Sequence, residues 1–539
     1  PIQWKPRPPI WVEQWPLPST KLQALREIIS EQLNLGHICP STSPWNTPIF
    51  VIKWRMLQDL RKINERMIIQ GTPLRGLPWI PAIPGNLCLI VIDIKDCFFS
   101  MPLQSQDREK FAFSVPSTNF EGPDERFEWT VLPQGMANSP AYCQNYVQDL
   151  LQPVSDLTYI KPCVYMDDVI LGAPTAEQLT EAYKVLPKCL SKGRLHISSD
   201  KVQVVPPFQI LGSQLSLEGV SPLKPQLYIQ DSYSLTGLGQ VLGEINWLPP
   251  WVPVSIGQLL PLFDLLKDRQ PNDEITLLPS HEKIFQDIQR AFNGAQLTRY
   301  TPEEGLQLWV LPSPSLLTAA LVQGGKPLQW VHISLGGTPR VYTCIDQTAD
   351  LIQKGRDIAV RCYAHEPDKI VILHRLSDFE WIQRNNGRIA LALEGYLGIL
   401  DCHYGPHKWV TSFGRLDWRA PQLFLFKPMP DALNAFTDGA QHSQQPDQHI
   451  RKYFGPCEGS AQFKELLAVV MVLTKVPEPM NLFSDSLYVV NLLPGLLNSH
   501  IRLDNNPLPL MIQAHTLLFE RVNPIYVHHL RGHQNLPGL

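Results

Sequence analysis

The chain has 539 residues, a formal net charge of −4 and a hydrophobic share of 44%, enough for about three or four domains, each with its own core. Its 46 basic residues are outnumbered by 50 acidic ones, which excludes a generally basic nucleic-acid binder and requires any such binding to use a locally basic groove. No apolar run approaches the ~18–20 residues of a membrane span, and no signal peptide is visible, so no membrane partner is expected.

Ten scattered cysteines without a CxxC pair read as reduced, buried thiols of an intracellular, cytoplasmic protein. Cys402, His403 and His407 imitate a metal site but lack a second half at zinc-finger spacing. The 51 prolines are roughly twice the usual share and indicate many loops and extended connectors. A first residue of Pro1 leads to the expectation of a segment cut from a longer precursor or an incomplete frame.

Residues 1–18 are Pro- and Trp-rich and extended. A helix is predicted over 19–35, with Leu22, Leu25, Ile28, Ile29 and Leu33 at helical spacing and Gly36 at its C-terminal end. A strand is predicted over 48–54. Mixed charge follows, with Arg55, Asp59, Arg61, Lys62, Asn64, Glu65 and Arg66, either a solvated surface or a basic face for triphosphate. A buried strand over 87–94 ends in Asp93, near the sheet edge where open α/β sheets place their sites. Residues 128–152 read strand, turn and helix, with Ser139 and Pro140 fitting N-cap and N1.

Two apolar runs, Cys163-Val164 and Val169-Ile170-Leu171, flank Tyr165-Met166-Asp167-Asp168 and read as two strands joined by a tight turn. Adjacent carboxylates at such a tip repel and pay for desolvation, and a divalent cation relieves both. Asp93 supplies a third acid if a sheet brings it there. A helix over about 175–192 precedes the strand at 208–212. Residues 220–290 look helical, with Leu238, Val241, Leu242, Ile245 and Trp247 on one stripe, and Trp247 reads more naturally as core than as a ligand platform. Residues 291–427 alternate strands and helices without an acidic cluster, Asp346, Asp350 and Glu366 reading as surface charges. In 428–539, Asp438 follows a strand, Glu465 lies on a helix with Phe463, Leu466, Leu467, Val470 and Leu473, and Asp485 ends a short strand. A last strand over 524–530 leads to His533.

The runs Leu132-Pro133-Gln134-Gly135-Met136 and Tyr165-Met166-Asp167-Asp168 resemble signatures of retroviral reverse transcriptases. Trp11-Val12-Glu13-Gln14-Trp15-Pro16-Leu17, Trp45-Asn46-Thr47-Pro48, Asp93 to Phe99 and Asn246-Trp247 extend the likeness over essentially the whole chain. It is similar to the Pol region of betaretroviruses and related endogenous retroviruses, with alpharetroviruses next.

The resemblance implies an α+β multidomain fold, a right-hand polymerase with fingers and palm over 1–216 and thumb over 217–290. An RNase H-like, non-catalytic connection over 291–427 and an RNase H domain over 428–539 follow. It implies an RNA-directed and DNA-directed DNA polymerase whose Asp93, Asp167 and Asp168 hold two Mg²⁺ ions, or Mn²⁺ in their place. Arg55, Phe98, Gln134 and Met166 would surround the nucleotide, with Phe98 as the gate against a 2′-hydroxyl. Leu211 and Gly212 would grip the primer, and Gly243 and Trp247 would track the duplex. Asp438, Glu465 and Asp485 would hold the metals of an RNase H site that His533 serves. The implied partners are RNA template, DNA primer, RNA–DNA hybrid and deoxynucleoside triphosphates, with a homodimer or a heterodimer with a processed form as further partners. The virion is an added location where a particle is made.

Three departures qualify that expectation. A short basic hairpin of the relatives is lacking between Val51-Ile52-Lys53 and Trp54-Arg55, which removes a triphosphate-contacting lysine unless Lys53 substitutes. The stretch from Asp438 to Glu465 is several residues shorter than in relatives. The chain stops at Leu539, before the family's fourth acid, so an impaired RNase H is expected. The alternative reading is a decayed, non-catalytic endogenous retroviral remnant that at most binds nucleic acid.

Overall fold

A computed structural model describes residues 2–52, 54–70, 77–117, 122–157, 161–223, 230, 232–267, 269–270, 273–311, 316–333, 341–402, 423–425, 427–437, 460–497, 499–501 and 508–530. The chain divides into two units, Pro1–Leu223 and Lys224–Leu539. Lys53, His403, His407, Asp438 and His533 lie outside the described residues.

In the first unit, α1 (Ser19–Asn34) forms because Leu22, Leu25 and Ile29 recur on one buried face. It stops before Gly36, whose φ of 74° is the left-handed conformation that glycine adopts without a Cβ clash. β1 (Ile38–Pro40), β2 (Ile49–Ile52) and β3 (Arg55–Gln58) follow, β2 and β3 forming a hairpin in register Ile52↔Arg55. The strand expected over 48–54 therefore ends at Ile52. Trp54 stands instead in the tight turn, at φ 61° and 74% exposed. α2 (Arg61–Arg66) continues the chain.

β4 (Cys88–Lys95) is a near-continuous apolar run in which Leu89 to Ile92 and Ile94 are all buried. Burying each such side chain contributes about 1.5–3 kcal/mol. Next come α3 (Ser105–Arg108), β5 (Ala112–Val115), β6 (Glu125–Trp129), α4 (Ser139–Leu150) and α5 (Gln152–Ser155). The N-cap of α4 is Asn138, one residue before the expected Ser139. The Ser139 hydroxyl instead donates to the Pro133 carbonyl at 3.1 Å, tying the helix to the turn before it. β7 (Lys161–Tyr165) and β8 (Asp168–Ala173) form a hairpin, α6 (Ala176–Lys192) packs on β4 and β8, and β9 (His196–Ile197) completes a sheet of order β7-β8-β4-β9. β10 (Phe208–Ile210), β11 (Ser213–Leu215) and β12 (Val220–Pro222) form a separate antiparallel sheet.

The second unit opens with β13 (Ser232–Ser234), α7 (Leu235–Ile245), α8 (Ile256–Asp264), β14 (Glu274–Thr276) and α9 (Pro279–Asn293). On α7, Leu238, Leu242 and Ile245 form the buried stripe. Trp247 lies past the end of α7, 36% exposed and tilted against the buried Trp251, so it is less a core residue than its sequence setting suggests. β15 (Gln307–Leu311), β16 (Thr318–Gln323), β17 (Lys326–His332), β18 (Val341–Thr343), α10 (Cys344–Tyr363), β19 (Lys369–Ile372), α11 (Leu376–Asn385), α12 (Gly387–Ala392) and β20 (Ile399–Cys402) follow. Five of these strands form a sheet of order β17-β16-β15-β19-β20, antiparallel on one side of β15 and parallel on the other.

The remaining elements are β21 (Phe424–Leu425), β22 (Leu433–Thr437), α13 (Ala461–Lys475), β23 (Met480–Ser484), α14 (Leu487–Leu496), β24 (Ser499–Ile501), α15 (Leu508–Glu520) and β25 (Ile525–His529). Here β22, β23 and β25 pair in parallel, as β15, β19 and β20 do in the first sheet. His332 on β17 is buried with Nε2 2.7 Å from the Pro249 carbonyl and 2.9 Å from that of Val252. Burial pushes its pKa down to about 4, so it stays neutral and joins the sheet to the helical segment before it.

No disulfide joins any of the nine described cysteines; Cys88 is exposed and five others are only partly buried, so the expectation of uniformly buried thiols does not hold. Asp346 and Asp350 pair with Arg388 at 3.6 and 2.6 Å, and Glu366 with Arg356 at 2.9 Å; these acids are built into ion pairs. No helix among the described residues is long and apolar enough to cross a membrane.

Candidate active site

The sequence places an acid at the end of β4 and two more at the tip of the β7–β8 hairpin. The sheet brings them to one edge. Antiparallel pairing sets Asp93 directly opposite Asp168. The two-residue turn between Tyr165 and Asp168 holds Met166 and Asp167, and the Asp167 carbonyl accepts a bond from the Ile94 amide at 2.8 Å. A bulky residue at positive φ costs about 1–3 kcal/mol. Met166 (φ 55°), Asp96 (φ 46°) and Leu211 (φ 46°) all have such backbones, and all three fall within or beside the motifs.

Asp167 and Asp168 are half-buried. Desolvation, then the charge of Asp93, raises the Asp167 pKa above the ordinary aspartate range. Desolvation, with the neighbouring Asp167 and Asp93, pushes Asp168 up to about 6. Lys201 is the cation that opposes both shifts. It stands on the short turn after β9, its Nζ 3.1 Å from Asp93 Oδ1, and the Ser198 hydroxyl donates to the same oxygen at 2.7 Å. Asp93 is thus turned towards Ser198 and Lys201, and among the described residues no three acid, cysteine or histidine side chains group tightly enough to hold a metal ion as they stand. The chemistry of the donor set still suits a hard cation. Three mutually repelling carboxylates, two of them partly desolvated, face a single lysine.

Phe98 begins a 3-10 turn directly after the Asp93 segment and packs on the main core of the unit. Gln134 is exposed beside Gly135, which has φ 91°. Asn64 of α2 spans this turn, donating to the Gly135 carbonyl at 3.0 Å and accepting from the Ala137 amide at 2.9 Å. Arg55 is exposed at the start of β3. Leu211 and Gly212 (φ 74°) form the β10–β11 turn, with the Gly212 carbonyl bonded to the Leu223 amide at 2.8 Å. Gly243 lies on the exposed side of α7, where a Cβ would meet open space; like Trp247 it belongs to the other unit.

In the second unit, β22, β23 and β25 end in register at Thr437, Ser484 and His529. Asp485 follows directly, and its Oδ1 is buried without a hydrogen-bond partner among the described residues, an unfavourable state that a bound cation would relieve. Glu465 is half-buried on α13. Sequence alone does not mark Ser198 or Lys201, and it names Asn64 only as one member of a charged run. Ser-Ser-Asp-Lys reads as an ordinary polar loop, and Asn64 sits in a charged surface run, so no local pattern marks them.

Residues 46–215 match the family described as reverse transcriptase (RNA-dependent DNA polymerase), and residues 314–410 match the ERVK-8-like, RNaseH-like domain. The second match takes in β16, β17, β19 and β20 of the five-stranded sheet, not the segment carrying Glu465 and Asp485. All of the chain aligns with the Gag-Pro-Pol polyprotein of Mason-Pfizer monkey virus, 36% identical over 551 residues and covering 31% of that protein. It is 37% identical over 549 residues to the Gag-Pro-Pol polyprotein of sheep pulmonary adenomatosis virus, covering 32% of it. It is 36% identical over 548 residues to the Intracisternal A-particle Pol-related polyprotein of mouse intracisternal a-particle MIA14, covering 63%. The chain thus spans about a third of the two Gag-Pro-Pol polyproteins and less than two thirds of the third relative.

Proposed function

Because the chain is related along its whole length to the Pol polyproteins of betaretroviruses, we propose that it is an RNA-directed DNA polymerase with a C-terminal RNase H. The observation that carries this reading is the register of β4 and β8, which sets Asp93 against Asp168 with Asp167 in the adjoining turn. In this reading fingers and palm occupy 1–216, thumb 217–290, connection 291–427 and RNase H 428–539. Asp93, Asp167 and Asp168 would hold Mg²⁺, a role supported by the preference of hard cations for carboxylate oxygen. Two such ions, when bound, activate the primer 3′-hydroxyl and neutralise the triphosphate and leaving pyrophosphate.

The protein's own groups do the rest. Arg55 presents a planar guanidinium to the triphosphate, a geometry that matches phosphate oxygens two at a time. Gln134 and Met166 line the nucleotide pocket, and the Phe98 ring excludes a 2′-hydroxyl by volume. Leu211 and Gly212 hold the primer end, and Gly243 and Trp247 follow the duplex through shape. Lys201 balances the charge of Asp93 until cations arrive. Asp438, Glu465 and Asp485 hold the cations of the RNase H site, with His533 beside them. The substrates are RNA template, DNA primer, RNA–DNA hybrid and deoxynucleoside triphosphates, and the chain acts as a homodimer or with a processed form of itself.

Primer extension on poly(rA)/oligo(dT) with Mg²⁺ or Mn²⁺ tests the reading. Wild type should extend, and an Asp167→Asn/Asp168→Asn double variant should not; equal product from both rejects it. The alternative reading is a non-catalytic protein that at most binds nucleic acid, in which Asp93 stays paired with Lys201. Salt-dependent hybrid binding without extension would select that reading.

A further inference from the structure

The turn that presents Asp167 and Asp168 is held from both sides. On one side β4 holds it, through the Ile94 amide and the Asp167 carbonyl. On the other, α4 reaches it with one side chain, Gln144, which is 6% exposed. The Gln144 Nε2 donates to the Val164 carbonyl at 2.8 Å, and its Oε1 accepts from the Met166 amide at 2.7 Å. Both ends of one carboxamide are therefore spent on the backbone of the hairpin, on the last strand residue but one and on the strained first residue of the turn. The preceding residue of the helix, Cys143, lies with Sγ 3.1 Å from Cys97 Sγ, in the segment that follows Asp93. Consecutive residues of α4 thus touch both acid-bearing segments, and α4 itself begins a few residues after Gln134.

We propose that Gln144 is a positioning residue for nucleotidyl transfer: by bracing Val164 and Met166 it fixes where the carboxylates of Asp167 and Asp168 stand. This rests on the polymerase reading above. The requirement is chemically narrow. The brace needs a donor and an acceptor in one buried side chain of this length. Leucine keeps the bulk and offers neither. Glutamate keeps the acceptor, loses the donor to Val164 and adds a negative charge beside carboxylates that already repel one another. Asparagine is one methylene too short to reach both groups.

The test uses the whole chain, labelled with [¹⁵N]methionine so that amide exchange is read at methionines alone, Met166 being assigned by its loss in Met166→Leu. In wild type the Met166 amide should be protected; in Gln144→Leu it should exchange at least about tenfold faster, the hydrogen bond being gone. In steady-state extension Gln144→Leu should lower kcat about 10- to 100-fold, the scale of a misplaced catalytic group. KM for deoxynucleotide and Kd for primer–template should change far less than kcat, because the substituted side chain is buried behind the turn and touches neither ligand. Gln144→Glu, which retains the acceptor, should keep most of the Met166 protection and still lose kcat. Unchanged Met166 exchange in Gln144→Leu, unchanged kcat, or kcat and both binding constants failing together with the melting temperature would each overturn the proposal. If the wild-type chain extends no primer, the polymerase reading fails, while Met166 exchange still decides whether Gln144 braces the turn.

Discussion

Replacing Asp168 by Asn should make the metal-free protein more stable while removing polymerase activity. The carboxyl of Asp168 is raised from the ordinary 3.8 to about 6, chiefly by desolvation and then by Asp167 and Asp93. At full weight that is a penalty of about 3 kcal/mol on the ionised fold; because the group remains nearly half open to solvent, screening reduces it to about 1–2 kcal/mol. For a unit of this size, such a difference shifts the midpoint by about 2–8 °C. The sign follows from the raised pKa. The folded state holds this proton more tightly than the unfolded state, so protonation favours the fold. The penalty is complete above pH 6, shrinks between pH 6 and 3.8, and is absent below. Asp168→Asn should therefore melt higher than wild type at pH 8 in EDTA by differential scanning fluorimetry, and the gap should close as the pH falls to 4. Added Mg²⁺ should also narrow it, since the ion binds and stabilises only the intact acid set. A variant that melts at or below wild type at pH 8, or a gap that is the same at pH 4 and 8, would refute the electrostatic reasoning.

Lys201→Met should release Asp93 and tighten Mn²⁺ binding, measured by electron paramagnetic resonance, about two- to fivefold, the modest scale of an exposed ion pair; weaker binding would mean that Lys201 helps to assemble the site. Asp485→Asn should abolish cleavage of a labelled RNA–DNA hybrid and leave primer extension unchanged, with a gel assay reading both. Trp54→Gly should raise stability by about 1 kcal/mol, because Trp54 is 74% exposed at φ 61° and a glycine meets no Cβ clash there; a lower denaturant midpoint would show that the indole packs on something in solution.

What was legible in the sequence was whatever has a local signature. The apolar run of β4, the acid at its end and the apolar–acid–acid–apolar pattern of the β7–β8 hairpin all announce themselves through periodicity and turn chemistry. The stripe of α1 and its glycine stop were equally plain. The braces were not. Gln144, Ser198, Lys201 and Asn64 act by pairing with groups distant in the chain, and a polar residue on a helix or in a loop has the same local appearance whether or not it does so. The expected cap of α4 fails because neither side chain caps the helix: Asn138 donates instead to the Ile68 carbonyl and accepts from the Gln70 amide, and Ser139 donates to the Pro133 carbonyl.

The β2–β3 hairpin, expected from the resemblance to be shorter than in relatives, shows where such a shortening would be felt. Below its tip, β2 and β3 stay in regular register from Ile49↔Gln58 to Ile52↔Arg55. Gln58 is buried and donates to Thr47 Oγ1 at 2.8 Å and to the Ala112 carbonyl at 3.2 Å, and the Asp59 amide bonds to the Pro48 carbonyl at 2.8 Å. These anchors lie at the base, so a shorter tip would cost reach there and leave the alignment of the strands intact, with Trp54 left-handed in the turn. Asn64, just past the hairpin, still holds the Gly135 turn. On the polymerase reading a shorter tip would bear on delivery of the triphosphate by Arg55: inserting a short basic loop there should lower deoxynucleotide KM and leave the geometry of the acids unaffected, and an unchanged KM would refute this.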